Sequence, residues 1–277
     1  MLKGVNYWAF TSGDLTESMR YAKELGYDSF EPTVDDDGPL SFTTSDADVV
    51  RIAEIAGEIG ISIKTVASGY AWSRSPTSPD AAVRDRATSD GERLLEIAAL
   101  LGAEVVLYIP GIVSASFMPR IVPQAYEVVL ERAHESLSPL VPIAKSAGVR
   151  IGIENVWNKF LLDPVSMRDF IDRYDSTVVG SYFDTGNIML YGHPEDWITT
   201  LGERVFAVHV KDFRGDVGTI DGFVDLLAGD VDFLKVKSAL DSIRYTGPYT
   251  IEYVPGRAGA VEKGIASLKL IESGGLR

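Results

Sequence analysis

Four side chains able to hold a divalent cation punctuate the second half of this 277-residue sequence: Glu154, Asp184, His209 and Glu252. Each marks a short apolar run. Glu154 closes Val149–Glu154, Asp184 follows Val178–Phe183, His209 lies in Val205–Val210, and Glu252 closes Tyr249–Glu252. Three carboxylates brought to one cavity repel one another unless a cation neutralises them. One imidazole among carboxylate oxygens suits Mn²⁺, Mg²⁺, Co²⁺ or Zn²⁺ without choosing among them. Such an ion polarises a bound carbonyl or hydroxyl and lowers the cost of an enediolate. Glu154 and Glu252, on different strands, could face opposite sides of one carbon, each serving as acid or base in turn.

The four meet only if those runs are parallel strands with their exits on one face. The pattern supports this. Apolar runs at 4–8, 26–31, 61–67, 104–109, 149–154, 178–183, 205–210 and 249–252 read as eight strands. Helical spacing appears over 15–25 behind Asp14, 46–59 behind Ser45, 80–101 before Gly102, 194–201, 233–243 and 260–272. A further helix over 121–147 carries Pro139 and Pro142, which should kink or split it. The Gly- and Asp-rich stretch 215–232 reads as a long loop over the strand ends. Alternating strands and helices argue for a parallel sheet, and eight of them for one closed (β/α)8 TIM barrel over residues 1–277, with its site at the C-terminal ends of the strands. A doubly wound open sheet would carry a glycine-rich phosphate turn after its first strand, and Gly4-Val5-Asn6-Tyr7 has none.

Composition narrows the partners. Hydrophobic residues make up 45%, enough for a sizeable core. Lys and Arg number 26 against 40 Asp and Glu, so the net charge of −14 repels nucleic acid and anionic membranes. The sequence has no cysteine, which excludes disulfides and thiolate metal sites. No apolar run is long enough for a membrane span and the N-terminus lacks a signal-peptide layout, so a cytoplasmic protein is expected.

Ile-Glu-Asn at 153–155, Phe-Asp-Thr-Gly-Asn at 183–187, His-Val-Lys-Asp at 209–212 and Ile-Glu at 251–252 resemble motifs of the xylose-isomerase-like sugar isomerase/epimerase superfamily. Within it the sequence is most similar to ketose 3-epimerases, including those acting on L-ribulose 5-phosphate. The resemblance implies one divalent metal bound by Glu154, Asp184, His209 and Glu252. It also implies that Glu154 and Glu252 epimerise a ketose or ketose phosphate at C3 through a metal-bound cis-enediolate. It puts Arg214 on the substrate with Lys211 beside it, and it makes Asn6, Trp8, Glu31, Trp72 and Trp157 pocket residues at strand ends. His193, before a helix, is a further candidate substrate contact. Free-ketose epimerases carry a histidine where this chain has Asn187, and a glutamate in the region of Trp157–Leu161. Both departures leave the sugar open, and Lys211 with Arg214 is compatible with a phosphate. Aldose–ketose isomerisation and dehydration of a keto-inositol use the same metal and carboxylates and stand as alternatives. An abasic-site endonuclease needs a basic groove and many histidines, and this chain has three. Barrels of this kind often pair, so a homodimer or homotetramer is expected.

Overall fold

A computed structural model describes residues 1–11, 13–118 and 121–275. The chain opens with β1 (Leu2–Asn6), α1 (Leu15–Leu25), β2 (Ser29–Glu31), α2 (Asp46–Ile59) and β3 (Thr65–Val66). It continues through α3 (Ala81–Leu100), β4 (Val105–Tyr108), α4 (Tyr126–Leu137), α5 (Leu140–Ala147), β5 (Arg150–Glu154) and α6 (Pro164–Ile171). Then come β6 (Val179–Asp184), α7 (Pro194–Leu201), β7 (Val205–Val210), a short ladder of β8 (Asp212–Phe213) with β9 (Phe223–Val224), α8 (Phe233–Ser242), β10 (Pro248–Ile251) and α9 (Ala260–Ser273). Local chemistry sets the helix ends. The Asp14 carboxylate accepts from the Glu17 amide at 2.7 Å, and Gly26 closes α1 at φ 97°, a conformation that favours glycine.

Eight strands pair in the order β2-β1-β10-β7-β6-β5-β4-β3, every ladder parallel. The ring closes between β2 and β3 through two bridges, Ser29 to Ser62 and Thr33 to Ala67. The amides of Phe30 and Val34 donate across that seam to Ser62 and Ala67 at 2.8 and 2.9 Å. This is the TIM barrel that the alternating pattern predicts. Among the described residues, no helix is long and apolar enough to cross a membrane.

Strand alternation sorts the side chains. Val5, Phe30, Ile153, Phe183, Val208 and Ile251 lie in the core between sheet and helices. Each immediately precedes a polar residue, Asn6, Glu31, Glu154, Asp184, His209 or Glu252, which therefore faces the barrel interior. One irregularity matters for that alignment. Between β6 and β7, Ser181 opposes Val205 but Tyr182 opposes Ala207, so Phe206 is an extra residue and Asp184 comes opposite His209. Without the bulge Val208 would stand there.

The structure departs from the sequence expectations at three elements. The helix expected from residue 121 begins at Tyr126, behind Ala125, whose backbone is extended at φ −63° and ψ 138°; Pro123 disfavours helical backbone at Val122 alone. It then divides at Ser138 and Pro139 into α4 and α5, as the prolines predict. The third strand is ordered as a ladder only over Thr65–Val66. Helix α6 was not anticipated; Asp163 caps it, accepting from Val165 and Ser166 amides at 3.0 and 2.9 Å, with Pro164 in its first turn.

Candidate metal centre and substrate cavity

Glu154, Asp184, His209 and Glu252 converge so that one ligand atom from each lies within 4.8 Å of the others. All four are buried. His209 Nδ1 stands 3.5 Å from Glu154 Oε1 and 3.2 Å from Glu252 Oε2. Lys211 Nζ sits 2.5 Å from Glu252 Oε2 and 3.5 Å from Asp184 Oδ2. Glu252 Oε2 is met by the Lys211 ammonium. Two buried atoms in this cluster, Asp184 Oδ2 and His209 Nδ1, have no hydrogen bond. Buried polar atoms are seldom left so. Mixed oxygen and nitrogen donors converging on one centre, two of them orphaned, fit a divalent cation.

Neighbouring groups hold these ligands in place. Asp184 Oδ1 accepts from the amides of Gly186 and Asn187, both at 2.8 Å, which leaves Oδ2 to the cluster. Asn155 joins the exits of β5 and β6: its Nδ2 donates to the Asp184 carbonyl at 2.8 Å and its Oδ1 accepts from the Asp184 amide at 2.9 Å. Behind the imidazole, Glu31 Oε1 lies 2.7 Å from His209 Nε2 and accepts from Asn6 Nδ2 at 2.6 Å. The Tyr182 hydroxyl donates to Glu31 Oε2. A carboxylate on Nε2 selects the tautomer that presents Nδ1 to the cluster.

Electrostatics follow from burial and from these neighbours. Burial, with repulsion from Glu252, pushes Glu154 up to about 7 against the pull of His209. Burial would raise Glu252 too, but Lys211 and His209 overcome it and hold that carboxyl down at about 2. Burial would lower Lys211, yet Asp184, Glu252 and Glu154 keep its ammonium above the usual range. His209 likewise is raised against burial by Glu31 and Glu252.

A cavity of about 820 Å³ opens above the cluster. Glu154 and Glu252 line it, whereas Asp184 and His209 sit behind them with no exposed surface. Of the other candidates, Trp8, Trp72, Trp157, Asn187 and Lys211 line the cavity. Trp157 donates from Nε1 to the Asn187 carbonyl at 2.8 Å. Asn6 lies behind the site, bonded to Glu31, and Glu31 itself backs the histidine and does not line the cavity. Two candidates are not brought there. His193 is exposed at the start of α7, and Arg214 is exposed and paired with Asp216 at 2.9 Å; neither lines the cavity. The loop after β8 reaches over the site with Ile220, Asp221 and Phe223. Asp212 pins it by accepting from the amides of Gly229 and Val231 at 2.9 and 3.1 Å. The positioning roles of Asn155 and Asp212 escaped sequence reasoning, although both stand inside the Ile-Glu-Asn and His-Val-Lys-Asp motifs.

Comparison with known proteins agrees with the barrel fold. The family described as "Xylose isomerase-like TIM barrel" matches residues 19–271. An uncharacterised protein of Methanocaldococcus jannaschii is 26% identical over 255 residues, 90% of this chain and 82% of that protein. An Escherichia coli protein provisionally named L-ribulose-5-phosphate 3-epimerase SgbU is 27% identical over 251 residues, 85% of this chain and 82% of that one. A solved D-tagatose 3-epimerase-like protein superposes with a TM-score of 0.80 at 24% identity, covering 100% of both chains.

Proposed function

Because the chain belongs to the xylose isomerase-like TIM-barrel family, we propose that it is a divalent-metal-dependent sugar epimerase acting at C3 of a ketose. Glu154 and Glu252 form its acid/base pair, and Glu154, Asp184, His209 and Glu252 its metal site. One observation carries the reading: of four buried, converging ligands, the two glutamates face the cavity and the other two stand behind them. That division separates groups able to reach a substrate carbon from groups able only to hold. The names of the E. coli relative and of the D-tagatose 3-epimerase-like structure support the same reaction class.

A divalent ion in this site would polarise the substrate's carbonyl and neighbouring hydroxyl. The remaining work falls to side chains. One glutamate takes the C3 proton, and the bonding pair moves into the C2 carbonyl to give an enediolate. The other glutamate returns a proton to the opposite face of C3, and the pair flows back to restore the carbonyl. The roles exchange with the direction of reaction. Lys211, 2.5 Å from Glu252, keeps that carboxylate ionised and ready to accept. Asn187 and the tryptophans Trp8 and Trp157 bound the substrate and exclude water from the enediolate.

The test is incubation of Mn²⁺-loaded protein with a panel of ketoses in D₂O, followed by NMR. Deuterium at C3 with the C3 epimer is expected. Deuterium at C1 or C2 with aldose formation would assign the site to aldose–ketose isomerisation, and loss of water would assign it to dehydration.

A further inference from the structure

The cavity also bears on which ketose enters, an inference that rests on the epimerase reading. Its volume of about 820 Å³ lies toward the upper part of the roughly 300–1,000 Å³ range that holds drug-sized ligands, well beyond the needs of a lone monosaccharide. Part of its lining is apolar. Trp72 and Phe117 meet edge to face with ring centroids 5.0 Å apart. Phe117, Ile220 and Val254 come from three separate loops, after β4, β8 and β10, and line the same opening while 38%, 47% and 60% exposed. A bare sugar would leave this apolar rim wet, and contiguous exposed apolar surface usually marks a binding surface.

Charge points the same way. With Glu154 and Glu252 holding a divalent ion, the described lining residues still offer three carboxylates, Asp35, Asp212 and Asp221, against two cations, Lys211 and Arg257. Lys211 is engaged by Glu252 and Asp184. Arg257 pairs with Asp225 at 2.8 Å and lies over the Tyr253 ring at 5.2 Å. Arg214, a candidate phosphate partner by resemblance, pairs with Asp216 outside the lining. A terminal phosphate would meet an excess of carboxylates.

We propose that the substrate is an uncharged ketose bearing an apolar, preferably aromatic, group, with the sugar at Glu154 and Glu252 and that group against Trp72, Phe117 and Ile220. The occupant is part of the substrate because the rim is continuous with the cavity that the two glutamates line.

The experiment compares matched sets of each ketose: the free sugar, its terminal phosphate and its terminal benzyl ether. Deuterium exchange by the Mn²⁺-loaded protein is read by NMR, and binding by calorimetry. The benzyl ether should show kcat/KM at least about ten-fold above the free sugar, the scale of burying one aromatic ring, and the phosphate should fall below it. Phe117→Ala should erase most of the benzyl preference. A preference for the phosphate, or a benzyl ether no better than the free sugar, overturns the proposal while leaving the epimerase standing. If no ketose exchanges, the epimerase reading fails, and calorimetry still decides: tighter binding of the benzyl ether supports the apolar subsite and equal binding overturns it. Phe117→Ala that shifts the sedimentation state with the preference intact would assign the rim to contact between copies and overturn it too.

Discussion

Glu31→Gln isolates one electrostatic contribution to the metal site. In the parent, Glu31 Oε1 receives Asn6 Nδ2 at 2.6 Å and faces His209 Nε2 at 2.7 Å, while Oε2 receives the Tyr182 hydroxyl. Glutamine can keep its oxygen at the first position and turn its amide toward Tyr182, whose hydroxyl also accepts. Shape and the bond to Nε2 survive; the charge does not. A hydrogen bond to a charged partner is worth about 1.5–3 kcal/mol and a neutral one about 0.5–1.5. The imidazole therefore loses roughly 1–1.5 kcal/mol of support for donating electron density through Nδ1. Since about 1.4 kcal/mol is tenfold in affinity, Mn²⁺ binding should weaken about ten-fold, within the 10–100-fold range for carboxylates behind metal-bound histidines.

Free Mn²⁺ counted by electron paramagnetic resonance gives the affinity, and circular dichroism checks that the barrel is folded. Long-range ¹⁵N–¹H spectra of histidine-labelled protein add a readout that simple destabilisation would not move: in the neutral imidazole the parent should carry its proton on His209 Nε2. A folded Glu31→Gln protein that binds Mn²⁺ with the parent's affinity would refute the role assigned to Glu31. Glu31→Ala is less informative. It strands Asn6, Tyr182 and His209 without an acceptor in a fully buried place, at about 1–3 kcal/mol each, and the barrel is expected to lose stability before the metal can be titrated.

Glu154→Gln and Glu252→Gln should each cut C3 exchange by at least 10²-fold, the lower end of what a positioned acid or base contributes; near-parental exchange in either would break the two-base scheme. Chelation should lower the thermal midpoint of the parent, and Mn²⁺ at about 100 times its dissociation constant should restore about 2.7 kcal/mol. His209→Ala should need a much higher Mn²⁺ concentration for the same shift, and a variant whose midpoint responds at the parent's Mn²⁺ concentration would remove His209 from the ligand set. Gly180→Ala should cost about 1–3 kcal/mol in chemical denaturation and weaken Mn²⁺ binding together, because a Cβ there would lie 2.5 Å from the Arg204 carbonyl and 2.6 Å from the Phe206 ring. A Gly180→Ala protein of parental stability would mean that the bulge holding His209 opposite Asp184 shifts freely.

The barrel was legible because its signals are local. Asp14, Ser45 and Pro194 mark helix starts that the structure reproduces at Leu15, Asp46 and Pro194. Alternation on β5, β6 and β7 sends one polar residue inward after each buried Ile153, Phe183 and Val208. Helix α6 has an equally local signal, Asp163-Pro164 before the buried Met167, Phe170 and Ile171. It is only eight residues long, short enough for its apolar positions to pass as loop. His193 and Arg214 went the other way. Both follow strands and carry plausible chemistry, but their directions depend on loop paths after the last ladder bond, and periodicity carries no information there.

Residues around His209 show where such reading stops. Glu31 belongs to a three-residue strand, and its partners Asn6, Tyr182 and His209 lie 25, 151 and 178 positions away. Only closure of the ring brings β1 and β2 across from β6 and β7, so no spacing in the sequence announces the cluster. The same holds for the bulge. Val205–Val210 reads as an uninterrupted strand, and an unbulged pairing would set Val208 against Asp184. What makes room for the bulged pairing is Gly180 on the neighbouring strand, whose missing side chain leaves space for the Phe206 ring and the Arg204 carbonyl. Ligand identity is thus written in one strand, while ligand position depends on a glycine in the next. The pairing of Glu31 with His209 then turns a correctly placed imidazole into one that presents Nδ1.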